Sequence, residues 1–307
     1  MFAALLLVAL SACADPGRSV TPVPLATPPP ATQDAPTSGS GEPAPQAARL
    51  IAAGDIAACD RDGDAQTASL VAGLDGTVAT LGDHVYPSGT GQTYAECYDP
   101  VWGAFLERTR PSIGNHDLEA DGGAAYHAYF GERAGTPGEG WYSYDLEAWH
   151  LVGLNTNCEV VDCAAGSPQH AWLSADLAAS DAACVLAYGH HPRFSSGPHS
   201  DYAAMAPLWD ALSADGAELL LAGHDHLYER FAPQAPDGAP DPAGIRQFTV
   251  GTGGYEPYAA VRVAPNSELI IGDAFGVLEL TLRADAYDWR FITIDGAVAD
   301  AGTGACH

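Results

Sequence analysis

The chain has 307 residues, 12 of them basic against 39 acidic, for a formal net charge of −27 at pH 7. Every basic residue is an arginine, and a field of this sign repels phosphate backbones, which excludes a nucleic acid duplex as an electrostatic partner. A small anionic substrate stays allowed beside bound cations, and the 47% hydrophobic content with 13 Tyr and 6 Trp is enough for a sizeable globular core.

Phe2 to Leu10 is an unbroken apolar run, too short to span a bilayer as a helix and of the length of a signal h-region. Leu10-Ser11-Ala12-Cys13 resembles the bacterial lipoprotein cleavage box, whose cysteine becomes the acylated first residue. Residues 1–13 therefore read as a lipoprotein-type signal segment, and the chain as an exported one, held at the cell surface through Cys13 or secreted. One acyl chain binds membranes only marginally, so stable anchoring needs more than one. Residues 14–48 are Pro, Ala, Thr, Ser and Gly with almost no large apolar side chain, a composition that cannot offset its ordering entropy and reads as a disordered tether. The folded catalytic domain is expected over 49–307.

That domain opens as βαβ, with a strand ending near Ala53, a helix over 64–74 and a strand over 77–81. The second half of 92–108 reads as helical, and a short strand follows, ending at Ile113. Residues 117–140 read as irregular loop with one helical turn, and 141–155 alternates as a β-hairpin. Ser167 is a plausible N-cap with Pro168 at the first helical position, opening a helix to Ala179. A strand over 184–188, a helix over 201–215 and a strand over 218–221 come next, and then strands over 245–250, 276–282 and 287–294. Two β-rich layers with helices outside are the expected layout, and no motif specifies an oligomeric state.

Beyond Cys13, cysteines stand at 59, 97, 158, 163, 184 and 306, an even number that in an exported chain points to disulfides. Cys158 and Cys163 flank a short loop and are the first pair expected; Cys59 with Cys97 and Cys184 with Cys306 follow only by elimination. No Cys-x-x-Cys spacing supports a thiolate metal site.

Several strand ends share one grammar of apolar run, glycine and metal-type side chain: Gly54-Asp55, Gly82-Asp83-His84-Val85-Tyr86, Gly114-Asn115-His116-Asp117, Gly189-His190-His191 and Gly223-His224-Asp225-His226. Open α/β sheets place their sites at the carboxyl ends of strands, so these ends can meet in one crevice. His224 and His226, two apart in extended chain, point to one side. Any one of these histidines alone is more often a satisfied polar residue, and it is their repetition that carries weight.

The ordered set resembles the calcineurin-like metallophosphoesterases, and within them the purple acid phosphatase branch. The wider superfamily has a histidine two residues after its first aspartate, where this chain has Ala57; the branch lacks it and supplies a tyrosine, matched by Tyr86. The resemblance implies an α/β fold, a four-layer αββα sandwich, around two metal ions. Asp55, Asp83, Tyr86 and His226 would hold one ion, and Asp83, Asn115, His190 and His224 the other, with Asp83 bridging. A phenolate ligand favours Fe(III) at the Tyr86 site, with Fe, Zn or Mn at the second. The implied activity is hydrolysis of small phosphomonoesters by a metal-activated hydroxide. A phosphodiesterase or nucleotide hydrolase is the alternative, and a non-catalytic surface binding protein the more remote one. His116 matches the histidine that contacts the phosphoryl group, with Asp117 orienting its ring, and His199 falls where related enzymes place a general acid near the leaving group.

His191 reads as either facing substrate or supporting the ligands, and His84, His127, His150 and His170 as structural or exposed. Gly251-Thr252-Gly253-Gly254 lacks the Walker lysine and reads as a tight turn under the site, and Gly166-Ser167-Pro168 is no nucleophile elbow.

Overall fold

A computed structural model of the chain describes residues 47–307. The expected signal segment, and the tether up to Gln46, lie outside the described residues.

Successive side chains of a strand point to opposite faces, and in this fold both faces are buried. Ala48–Ala53 pairs in parallel with Thr77–Leu81, which pairs in parallel with Thr109–Ser112. Leu50, Ala52, Ala79 and Leu81 enter one core with Leu151, Leu186, Leu219 and Leu221. Their neighbours Ile51, Ala53 and Val78 enter a second core, closed by Val71, Tyr94 and Trp102. The same parity governs the other sheet, where Val152, Val185, Ala187 and Leu220 pack on Leu173, Leu177, Leu208 and Trp209 of two helices. Two sheets back to back, each with helices on its outer face, make the expected four-layer αββα sandwich.

The first sheet runs Val298–Ala305, Ala286–Thr293, Gly276–Leu282, Ala48–Ala53, Thr77–Leu81, Thr109–Ser112. The second runs Ser267–Ile271, Tyr228–Phe231, Arg246–Val250, Leu219–Ala222, Cys184–Tyr188, Trp149–Gly153, Tyr142–Leu146. Five parallel strands across the two sheets thus end in the segments that carry the shared grammar, three in the first sheet and two in the second.

Local signals explain most boundaries. Ser167 accepts a hydrogen bond from the His170 N–H at 3.3 Å, and Pro168 opens the helix Pro168–Ala179. The helix Ala206–Asp215 stops at Gly216, which is left-handed. Chain expected to be half helical is helical throughout from Gly91 to Arg108, including the single π-type turn Tyr94–Tyr98. Residues 117–140 are also more regular than expected, because the helix Ala124–Phe130 buries Tyr126 and Phe130 in the second core.

Tyr228–Phe231, Ser267–Ile271 and Val298–Ala305 are strands that patterning does not announce. Val298–Ala305 is mostly Ala and Gly, so it has no alternating apolar face of its own. It is a strand because Gly302 and Gly304 lie flat on the rings of Trp289 and Tyr287, where a Cβ would collide. All three expected disulfides form: Cys59–Cys97, Cys158–Cys163 and Cys184–Cys306, the last tying the end of this edge strand to the other sheet. Among the described residues no helix is long and apolar enough to cross a membrane.

Candidate metal centre

Each donor-bearing segment begins where a strand stops, and the backbone turns sharply there. Asp55, Asp83 and His224 have φ of 61°, 50° and 70°, half of the non-glycine residues with positive φ among those described. Aspartate and histidine tolerate this region better than most, yet strain of roughly 1–3 kcal/mol per residue persists only where the surroundings enforce it. The glycines enforce it by allowing close approach: a Cβ on Gly114 would strike the Asp83 carboxylate, and one on Gly223 the Asp55 carboxylate. Gly82, Gly114 and Gly223 are needed because another donor lies against each of them, His190, Asp83 and Asp55 respectively, whereas Gly54 and Gly189 are hemmed in by Leu81 and Thr156.

The side chains fall into two groups that share Asp83. In the first, the Tyr86 hydroxyl lies 2.8 Å from Asp55 Oδ1, 3.0 Å from Asp83 Oδ2 and 3.2 Å from His226 Nε2. In the second, His190 Nε2 lies 3.1 Å from Asn115 Oδ1, 3.1 Å from His224 Nδ1 and 3.2 Å from Asp83 Oδ2. Supporting contacts assign the ring protons. His190 Nδ1 donates to the Leu81 carbonyl at 2.8 Å and His226 Nδ1 to the Glu256 carbonyl at 2.9 Å, so each neutral ring turns an Nε2 lone pair inward.

The inward set therefore has more lone pairs than protons. One phenolic proton faces three acceptors, and the His190 lone pair faces a carboxylate, an amide oxygen and another imidazole. This is a donor set that suits cations, and of hard and borderline type, with no thiolate. Without a cation the strain shows in the titration of the groups. Burial works against charging His190, but the Asp83 carboxylate overrides it and pushes the ring up to about 9. Burial also opposes ionisation of Asp83, yet His190 holds its carboxyl well below the ordinary range. His224 is driven far down by burial and by His190 beside it. Burial, with Asp55 and Asp83 adding repulsion, pushes the Tyr86 phenol well above its ordinary value.

A cleft of about 170 Å³ opens over these atoms, walled by Asn115, His116, His199, His224, His226 and Tyr255. His116 Nδ1 donates to the Pro87 carbonyl at 2.7 Å and lies 3.3 Å from Glu119 Oε2, which leaves Nε2 for the cleft. His199 is exposed at the rim, with its ring 4.2 Å from that of His224. The expectation that Asp117 orients the His116 ring is corrected by the geometry. Asp117 is fully buried, accepts from the N–H of His84 at 3.1 Å, Tyr94 Oη at 2.8 Å and the N–H of Gly114 at 2.9 Å, and holds His84 Nδ1 at 2.9 Å. It touches no part of the His116 ring because its two oxygens are already taken up by this network on the far side of the helix start. His84, which also reaches Thr80 Oγ1 at 2.7 Å, is a buried structural residue.

Three supporting residues escaped sequence reasoning. Tyr255 stacks on Tyr86 with centroids 3.7 Å apart, and Tyr258 stacks on His226 at 4.8 Å. Asp225, between the two histidines but pointing away from them, accepts from the His199 N–H at 3.2 Å and Tyr258 Oη at 3.1 Å, and binds Ser195 Oγ. The signal for it was its alternation with His224 and His226; for the tyrosines it was the Gly251–Gly254 turn just before them, whose Gly253 N–H donates to the Gly54 carbonyl at 2.8 Å. His150 lies elsewhere, between Asp145 and Asp176.

Known proteins resemble this chain in sequence and in fold. Purple acid phosphatase 18 of Arabidopsis thaliana is 26% identical over 185 residues, 53% of this chain and 41% of that protein. The chain thus spans less than half the length of that relative. Purple acid phosphatase PPD1 from yellow lupin has the same fold with a TM-score of 0.66 at 18% identity, over 84% of this chain and 54% of the lupin chain. GAP50, described as the anchor in the inner membrane complex of Plasmodium, matches equally well in fold, with a TM-score of 0.66 at 16% identity over 85% of this chain and 90% of its own. Residues 48–228 match the family described as calcineurin-like phosphoesterase, and on that match, over more than half its length, this chain belongs to that family.

Proposed function

We propose that this chain is an exported binuclear metallohydrolase that cleaves small phosphomonoesters. The observation that carries the reading is the excess of lone pairs over protons where Asp55, Tyr86 and His226 on one side, and Asn115, His190 and His224 on the other, meet Asp83. These two groups would each hold one cation, with Asp83 shared between them. Tyr86 is the reason to favour Fe(III) in the first, since a phenol, with an ordinary pKa of about 10, becomes a phenolate ligand readily beside a strongly Lewis-acidic cation; Fe, Zn or Mn suits the second. When bound, the pair of cations supplies charge stabilisation for phosphoryl oxygens and lowers the pKa of water.

The protein's own side chains do the rest. With Nδ1 given to the Pro87 carbonyl, His116 donates through Nε2 to a phosphoryl oxygen when its ring carries both protons, a charge that Glu119 faces at 3.3 Å. His199 delivers a proton to the departing alcohol, and Asp225 holds the loop that carries it. Tyr255 walls the cleft, and Tyr255 and Tyr258 fix the Tyr86 and His226 rings by stacking. Paired cysteines and the purple acid phosphatase relatives support export; anchoring at Cys13 is tested by Cys13→Ser, which releases the protein from the membrane fraction if the cysteine is acylated.

Metal analysis combined with an ester panel tests the whole reading. About two ions per chain and faster hydrolysis of an aryl monoester than of the diester are expected; the reverse preference makes it a phosphodiesterase. Bound metal with no hydrolysis would favour a non-catalytic role, a possibility raised by the fold shared with the Plasmodium anchor protein. His199→Ala is expected to slow esters of poor leaving groups more than good ones, and an equal loss on both removes it as the acid.

A further inference from the structure

A second and larger cavity of about 530 Å³ adjoins the metal cleft. The two share Asn115, His199 and His224, so an ester whose phosphoryl group sits over Asp83 directs its alcohol past His199 into this space. The remaining walls include Leu118, Glu119, Glu159, Val160, His191 and Tyr202. The His191 and Tyr202 rings stack at 4.5 Å with 23° between planes, and Thr156 Oγ1 lies 3.1 Å from His191 Nδ1 to fix that ring. Glu159 and Val160 ride on the short loop closed by the Cys158–Cys163 disulfide, and Val160 is 68% exposed. Glu159 and Tyr202 line the same cavity, and burial and the Glu159 charge both raise the Tyr202 phenol above its ordinary value. No arginine lines the cavity.

We propose that this cavity is the leaving-group site and selects an alcohol bearing an ammonium group on an apolar or aromatic body, in the order cationic, uncharged, anionic. The inference rests on the phosphomonoesterase reading and names its substrate class. Aromatic faces and carboxylates together favour a cation, and apolar Leu118 and Val160 favour the body that carries it. An anionic alcohol, whether it carries a carboxylate or a further phosphate, meets Glu119 and Glu159 with no guanidinium among the lining residues to pair with. As the oxygen of water adds to phosphorus, the bond from phosphorus to the ester oxygen breaks, and that oxygen takes its proton from His199 at the boundary of the two cavities. The alcohol thus leaves protonated into the acidic cavity and inorganic phosphate remains in the cleft.

The test measures kcat/KM of the metal-loaded chain on three aryl phosphates of matched size, carrying an aminomethyl, a methyl or a carboxymethyl group in the para position. One unit charge facing a partly exposed carboxylate changes the rate about ten-fold at low salt. The aminomethyl and carboxymethyl esters differ by two unit charges, so the first should exceed the second by about a hundred-fold, with the methyl ester between and the gap narrowing as salt rises. Glu159→Gln should cut that ratio about ten-fold, whereas Glu132→Gln, which removes the same charge outside the cavity lining, should not. Equal rates on the three esters, or a ratio that responds alike to both variants, overturns the leaving-group site while the phosphatase reading stands. Failure of the metal-loaded chain to hydrolyse any of the three overturns the phosphatase reading itself, and the selectivity with it.

Discussion

Asp117→Asn separates a structural from a catalytic role at the residue where sequence and geometry disagree. Each Asp117 oxygen serves two neighbours: Oδ1 the His84 N–H and Tyr94 Oη, Oδ2 His84 Nδ1 and the Gly114 N–H. Asparagine has the same shape and can keep one of these pairs with its carbonyl. Its amide then presents N–H groups to the donors of the other pair. Two bonds to a charged acceptor are lost, at roughly 1.5–3 kcal/mol each, and a switch of His84 to its other tautomer recovers at most one. A loss of about 2–5 kcal/mol follows. For a domain of this size about 2–4 °C accompanies each kcal/mol, so the unfolding midpoint of the metal-loaded protein should fall by about 4–20 °C. Measured where the variant is still folded, its kcat on an aryl phosphate should stay within about ten-fold of wild type, because the carboxylate touches neither the cleft nor His116. An unchanged midpoint with a kcat loss beyond about a hundred-fold would refute this and return Asp117 to the chemistry.

Other outcomes follow from the same geometry. Asp83→Asn keeps a residue type that tolerates φ of 50° and removes only the charge, so loss of both metals and of at least about a thousand-fold in kcat is expected; a variant that retains two ions and near wild-type turnover contradicts the bridging role. The oxidised, iron-loaded protein should absorb in the visible and Tyr86→Phe should not, while a colourless, iron-free and active wild type would argue against Fe(III) at that site. His150 Nδ1 lies 2.8 Å from Asp145 Oδ1 and its Nε2 2.9 Å from Asp176 Oδ2; burial opposes its charge, and the two carboxylates raise its pKa above the ordinary value. Because the folded value is the higher one, the contribution is fully present below about pH 6.5 and is lost as pH rises through the folded pKa. With Asp145 largely exposed it is on the order of 1 kcal/mol, so His150→Gln should destabilise the protein more at about pH 5.5 than at about pH 9, and equal losses at both would contradict the clamp.

The donor residues could be read without coordinates because their signal is local. Asp55, Asp83, Asn115, His190 and His224 lie directly after a strand end and a glycine, Tyr86 and His226 follow within the same segments, and the order of the five segments narrows the reading further. The strands over 184–188 and 276–282, the capped helix at Ser167 and the short disulfide loop were visible for the same reason. What escaped depends on partners far along the chain. The edge strand Val298–Ala305 takes its apolar surface from Trp289 and Tyr287, and Asp117 is claimed by His84 and Tyr94, brought to it from a different strand end and a different helix. Tyr255 and Tyr258 support the site only because the turn at Gly251–Gly254 packs under Gly54.

Read alone, the chain specifies which side chains can donate to a cation and that they follow strands. Tertiary structure decides that Tyr86 meets Asp55 and His226 while His190 meets Asn115 and His224, because the first three parallel strands and the last two belong to different sheets whose ends must be brought together. It also decides that Asp83 lies between the groups and that Glu159 lines the neighbouring cavity. A sequence can encode a donor and the turn that aims it, but the distance between two donors is set by the packing of everything between them.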